Sequence, residues 1–257
     1  MAGRLEGRGV VVTGATKGLG RETALLMAAE GARVVAVGRD EGDGRSLQDE
    51  AAALPGSVAF HAGDVRDEET HTGAIARCRE GGRLDAYVNN AGILGPEGPL
   101  HDTSLEDWEE VNAVNMRGVF LGCRAAIRAM REDGGGSIVN VGSILSLTAD
   151  PFLTSYTATK HGVLGLTRAL AVDYAAAGIR ANCVLPGDME TPMILEYFAA
   201  SDDPEATRRQ MEDAYPIKRI ARPREVAQAV LFLASDESSF VSGAELLVDG
   251  ALSVKAY

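Results

Sequence analysis

The chain has 257 residues, 46% hydrophobic and 24% charged, ordinary proportions for a globular protein with one good core. Its 37 acidic against 25 basic residues leave a formal charge of -12, which argues against a nucleic-acid partner. No apolar run reaches the length of a membrane span, and the start M-A-G-R-L-E-G-R-G lacks a signal peptide's apolar stretch, so a cytoplasmic protein is expected.

Residues 8–13, R-G-V-V-V-T, form an apolar β-branched run and predict a buried strand. T-G-A-T-K-G-L-G follows, then a helix over 21–30 with Ala24, Leu25, Met27 and Ala28 facing inward. A second strand is expected over 32–38. Strand, glycine-rich turn, helix, strand is the opening of a parallel sheet. The rhythm continues with a helix over 45–54, a strand over 58–61, a helix over 67–79 and a strand over 84–88. One long amphipathic helix is expected over 105–131, broken by the glycines at 134–136. A strand over 137–141, a helix over 155–177, a strand over 179–185, a helix over 223–234 and a last strand over 245–248 complete the series. Residues 188–222 break the rhythm and read as an insertion beyond a strand end. Neither a repeat nor a linker is visible, so a single domain over 1–257 is expected. The fold class that follows is α/β: a doubly wound Rossmann fold, its parallel sheet flanked by helices on both faces.

Cys78, Cys123 and Cys183 are odd in number and widely spaced, which suits small buried residues and no disulfide framework. The four histidines, His61, His71, His101 and His161, have no ligand spacing, so no metal site is expected.

The turn Gly14-Ala15-Thr16-Lys17-Gly18-Leu19-Gly20 sits between a strand and a helix. Glycines there let backbone approach a pyrophosphate, and the helix N-terminus favours the anion. The other reading is a tight turn that needs positive φ. The second strand ends in Gly38-Arg39, with Asp40 next. An acid at that place takes the ribose hydroxyls, whereas an arginine accommodates a 2′-phosphate. Arg39, with Lys17 as a second cation, favours NADP(H) over NAD(H). The alternative is a solvated pair flanking an NAD site, with Asp40 on the hydroxyls. Asn89-Asn90-Ala91-Gly92 closes the fourth strand, and Asn115 stands inside a helical stretch where asparagine is disfavoured.

Ser143, Tyr156 and Lys160 share the stretch S-I-L-S-L-T-A-D-P-F-L-T-S-Y-T-A-T-K. On a helix, Tyr156 and Lys160 lie one turn apart on one face. A cation beside a phenol favours the phenolate, so such a tyrosine can pass a proton either way at cellular pH. The bland reading is a half-buried ring beside a solvated ammonium.

Together these motifs resemble the short-chain dehydrogenases/reductases, and the resemblance spans essentially the whole chain. It covers the glycine loop, Asp64-Val65, Asn89-Asn90-Ala91-Gly92, Asn115, Ser143, Tyr156, Lys160, and Pro186-Gly187 with Met189 and Thr191. Met189 replaces a usual isoleucine, and Ala251 stands where a second glycine is frequent. The resemblance implies that Asp64-Val65 lie near the adenine and that 186–191 contact the nicotinamide end. It implies that Tyr156 donates the proton, Ser143 holds the carbonyl oxygen, Lys160 tunes Tyr156 and holds the nicotinamide ribose, and Asn115 positions a water. It implies a homo-oligomer, commonly a tetramer. Residues 188–215 would form a substrate lid, with Leu145, Phe152, Met193, Ile194, Tyr197 and Phe198 lining an apolar pocket or else packing inward. The expected substrate is a small or cyclic ketone or secondary alcohol. The alternatives are a 3-oxoacyl-thioester reductase and, in another class, a dinucleotide-sensing protein without turnover.

Overall fold

The computed structural model describes residues 3–256. Its first half runs β1 (Gly9–Thr13), α1 (Gly18–Ala29), β2 (Arg33–Gly38), α2 (Glu41–Ala51), β3 (Ser57–Ala62), α3 (Glu68–Arg79) and β4 (Ala86–Asn89). The second half runs α4 (Leu105–Asn112), α5 (Gly118–Asp133), β5 (Gly136–Val141), α6 (Thr154–Tyr174) and β6 (Ile179–Pro186). It ends with α7 (Pro192–Ala200), α8 (Pro204–Ala214), α9 (Pro223–Ala234) and β7 (Glu245–Val248).

The strands form one parallel sheet in the order β3-β2-β1-β4-β5-β6-β7. Alternation along β1 shows how it is covered. Val10 and Val12 pack with α1, α2 and α9, whereas Val11 faces α3, α5 and α6. Both faces are therefore apolar, as buried parallel strands require. The order reverses between β1 and β4, and such a switch point opens a crevice at the carboxyl ends of the strands.

Sequence expectations and structure differ in three instructive places. The helix expected over 45–54 starts earlier, at Glu41, because the Asp40 carboxylate accepts from the Asp43 amide and caps it. The single helix expected over 105–131 is interrupted by a π-helical turn at Ala113–Arg117, which carries Asn115. The helix expected to reach 177 leaves its α-helical geometry after Tyr174 and closes with a tighter turn at Ala175–Ala177. Within 188–222 the chain builds α7 and α8, and each begins with proline in its first turn, where a missing N–H costs nothing. Among the described residues, no helix is long and apolar enough to cross a membrane. All three cysteines are free and buried.

Candidate active site

The loop 14–20 folds tightly against the end of β4. A Cβ on Gly20 would lie 2.1 Å from the Gly14 carbonyl oxygen, so glycine is needed for the loop to close on itself. The Asn90 side-chain amide donates to the carbonyls of Thr13 and Gly14 at 2.9 and 3.1 Å. In return, the Thr13 hydroxyl accepts from the amides of Asn90 and Ala91 at 3.0 and 3.2 Å. Thr13 is absent from the expected site residues; its one signal is a polar residue closing an apolar strand. Among the described residues the N-cap Lys17 makes no side-chain cap to the N-terminus of α1, which leaves the first amides of the helix available to a ligand. Thr16 lies against Gly38 at the end of β2, Leu19 is buried beneath the loop, and Thr191 borders Gly18.

At the outer end of the crevice, Arg39 is exposed and has no hydrogen-bond or ion-pair partner among the described residues. Lys17 is engaged by Asp43 at 3.0 Å, and Asp40 is committed to the cap of α2. Asp64 is held by the Arg66 guanidinium at 2.7 and 3.0 Å, which lowers its carboxyl from the ordinary value. Val65 follows it, its side chain close to Gly118 of α5.

At the inner end, α6 brings Tyr156 and Lys160 beside the ends of β4 and β5. Lys160 is only 5% exposed, and its ammonium donates to the Val141 carbonyl at 2.9 Å. The same nitrogen lies 5.3 Å from the centre of the Tyr156 ring. A β-carbon placed on Gly92 would meet both Lys160 Nζ and Asn115 Oδ1, at 3.6 and 3.4 Å, so these groups share one small space. The π turn explains how Asn115 gets there: an extra residue in the turn redirects its side chain inward. Its Oδ1 accepts from the Ile93 amide at 2.9 Å and its Nδ2 donates to the Ile93 carbonyl at 2.8 Å. Asn115 also reaches Thr159 on α6 at 3.3 Å, tying two helices together at the site. Ser143 closes β5, and its hydroxyl accepts from the Leu145 amide at 3.1 Å. It makes no hydrogen bond to Tyr156 among the described residues, but its proton remains free to donate.

Known proteins now bear on this geometry. The family profile described as Enoyl-(Acyl carrier protein) reductase matches residues 14–253. The chain is 43% identical over 249 residues to cyclopentanol dehydrogenase of Comamonas testosteroni, covering 96% of this chain and 98% of that one. It is 40% identical over 250 residues to a 3-oxoacyl-[acyl-carrier-protein] reductase of Thermotoga maritima, covering 97% and 99%. It superposes with a TM-score of 0.94 on a structure assigned to the short-chain dehydrogenases/reductases from Burkholderia xenovorans, 35% identical with both chains covered in full, 100%. The chain belongs to the short-chain dehydrogenase/reductase family.

On the substrate side of this short-chain dehydrogenase/reductase, the expected pocket residues divide. Leu145 is buried, Tyr156 is half-buried, and Phe152, Met193 and Tyr197 are exposed. Phe198 instead packs inward with Tyr215 and Ile220, and Ile194 lies against them. Those two therefore belong to a small core within 188–222, the inward packing that is the other reading of these residues. Pro186 and Gly187 end β6, and Met189 pairs with Ala221. Between them, the Tyr215 hydroxyl donates to the Asp188 carboxylate at 2.8 Å and accepts from the Asp188 amide at 2.6 Å. This clasp joins the start of the insertion to the end of α8, and no sequence signal marked it.

The Asp188 carboxyl is raised from its ordinary value, first by burial and then by the nearby charge of Asp150, against the Tyr215 hydrogen bond. A carboxyl raised in the fold binds its proton more tightly there than when unfolded. Its stability contribution is present in acid and is lost as pH rises through the folded value. Asp188→Asn should therefore raise the melting temperature at neutral pH, by roughly 2–4 °C per kcal/mol of desolvation relieved. The gain should shrink as pH falls through the carboxylate range. Calorimetry across pH checks this, and a gain that grows towards acid contradicts it.

Proposed function

We propose that the protein is a nicotinamide-dependent oxidoreductase that interconverts a small or cyclic ketone and the matching secondary alcohol. The observation that carries this reading is the placement of Lys160 and Asn115 around Gly92 after β4, with the Tyr156 ring beside the same ammonium. The uncapped helix N-terminus, the closed glycine loop and the unpartnered Arg39 suit a phosphorylated dinucleotide in the same crevice. When bound, that cofactor supplies or accepts the hydride. Tyr156 gives its hydroxyl proton to the carbonyl oxygen during reduction and takes it back during oxidation. Ser143 donates a hydrogen bond to the same oxygen as charge develops on it. Lys160 stabilises negative charge on the Tyr156 oxygen and would hold the nicotinamide ribose. Asn115 fixes the Ile93 turn beside Lys160 and places a water that links the ammonium to solvent. Pro186, Gly187, Met189 and Thr191 would hold the nicotinamide end.

NADP(H) is the preferred cofactor in this reading. Arg39 is the uncommitted cation at the end of β2, and the acid beside it already caps α2. Arg39→Asp should shift the ratio of kcat/KM for NADPH over NADH towards NADH by about 10–100-fold, the worth of a charge-assisted hydrogen bond. An unchanged ratio removes Arg39 from the phosphate site.

The charge of the insertion supports a neutral substrate. Residues 188–222 hold eight carboxylates and five cations. Each cation already has a carboxylate neighbour: Arg208 with Glu190 and Glu212, Arg209 with Glu205, Lys218 with Asp213, and Arg219 and Arg222 with Glu225. A thioester carried on a phosphopantetheine arm brings phosphate and would find an acidic rim here. Comparing kcat/KM for cyclopentanol and cyclohexanol with that for a 3-oxoacyl thioester tests this. The cyclic alcohols should win by at least about tenfold; a preference for the thioester establishes the carrier-protein reading instead. Assembly as a homo-oligomer, a tetramer by analogy, belongs to the same reading. Phe120 on α5 and Val172 on α6 are exposed and suit a helix-to-helix interface. Three free thiols suit a reducing compartment such as the cytoplasm.

A further inference from the structure

Two polar side chains lie in the apolar layer beneath β4 and take no part in the chemistry above. His71, in the first turns of α3, and Tyr87, in β4, are both fully buried. Their neighbours in that layer are Val11, Ala74, Cys78, Leu84 and Cys123. A buried hydroxyl and imidazole are costly unless each hydrogen-bonding group finds a partner. Here they do. His71 Nδ1 lies 2.7 Å from the Tyr87 hydroxyl, and His71 Nε2 lies 2.8 Å from the Val65 carbonyl oxygen.

The partners decide the tautomer. A carbonyl can only accept, so Nε2 carries the proton and donates to Val65. Nδ1 is then bare and accepts from the Tyr87 hydroxyl. Burial favours the same neutral ring by lowering the imidazole from its ordinary value. The result is a directional chain, Tyr87 to His71 to Val65, running from the centre of the sheet to the loop after β3. Val65 is held a second way, since a β-carbon on Gly118 would come within 3.1 Å of its Cγ2. Its carbonyl is thus fixed by α3 while its side chain is wedged by α5.

We propose that His71 and Tyr87 are positioning residues for the adenosine half of the dinucleotide, acting by holding the Asp64–Val65 segment in place. The proposal rests on the reading that the adenine lies against that segment. An apolar pair would fill the same layer without a hydrogen bond to Val65, so position and not stability is what the polar pair provides. Its effect should fall on dinucleotide binding and spare the proton-transfer groups, which stand at the other end of the crevice.

The test uses three variants and two cofactors. His71→Val removes the donor to Val65 and leaves the Tyr87 hydroxyl without an acceptor. His71→Val/Tyr87→Phe removes that orphan as well. Asp64→Ala probes the segment itself. Each is assayed with NADPH and with reduced nicotinamide mononucleotide, which lacks the adenosine half. Both His71 variants should raise KM for NADPH by about five- to tenfold, the worth of one neutral hydrogen bond. Their kcat at saturating NADPH should stay within about twofold, and KM for the mononucleotide should not change. The double variant should recover thermal stability relative to His71→Val without recovering KM. Should His71→Val fail to fold, the double variant still reports. If Asp64→Ala weakens NADPH while the His71 variants do not, the proposal fails and the adenine reading stands. If none of the three affects NADPH, both fail. Equal losses with the two cofactors overturn the positioning role in favour of general destabilisation.

Discussion

Tyr156→Phe should lower kcat by about two to four orders of magnitude, the range of a positioned general acid–base. The phenyl ring keeps the contact with Lys160, whose ammonium lies 5.3 Å from the ring centre, so packing and charge at the site are retained. The lost group is the hydroxyl that carries the proton in the proposed reaction. NADPH titrated by fluorescence should bind the variant with nearly unchanged affinity, because the glycine loop, Arg39 and the β6 end are untouched. A fall in kcat below tenfold, with chemistry rate-limiting, would remove Tyr156 from the proton path.

Lys160→Met is the second large effect. Methionine follows the buried stem of lysine but brings no charge and no donor. The Val141 carbonyl loses its 2.9 Å partner, and the space beside Gly92 and Asn115 loses its cation. kcat should drop by about 10²–10³, the usual cost of removing one preorganised stabiliser of developing charge. KM for the cofactor should rise as well, since in the proposed reading the same ammonium would hold the ribose. This joint change separates Lys160 from Tyr156, where kcat alone should move. Steady-state kinetics on the two variants side by side make the comparison. A Lys160→Met enzyme with unaltered cofactor KM would confine the lysine to the tyrosine.

Much of this arrangement is legible in the sequence. Apolar β-branched runs punctuated by glycine mark the strands, and the last helix and strand, Pro223–Ala234 and Glu245–Val248, lie where the pattern put them. What escaped is physical in origin. Periodicity averaged over a long helix does not register one extra residue, so the π turn at Asn115 was invisible except as an asparagine out of place. Backbone acceptors have no letter in a sequence, which hid the Val141 carbonyl under Lys160 and the Val65 carbonyl under His71. In α7, the run Pro-Met-Ile-Leu-Glu-Tyr-Phe is apolar on nearly every side, so pattern could not say that Phe198 turns inward and Tyr197 outward. The clasp between Asp188 and Tyr215 joins residues 27 positions apart, and only the folded insertion brings them together.

The central claim is hydride transfer to a ketone carbon with the proton supplied by Tyr156. It is tested most directly by following a label. The enzyme is given a cyclic ketone and NADPH deuterated at the transferable position of the nicotinamide ring, each epimer in turn. Mass spectrometry of the alcohol should find one deuterium at the carbinol carbon with one epimer and none with the other, and with Tyr156→Phe the labelled alcohol should form about two to four orders of magnitude more slowly. Tight NADPH binding with no deuterium in any product, from either epimer and across a panel of ketones, would contradict the claim and leave a dinucleotide sensor in its place.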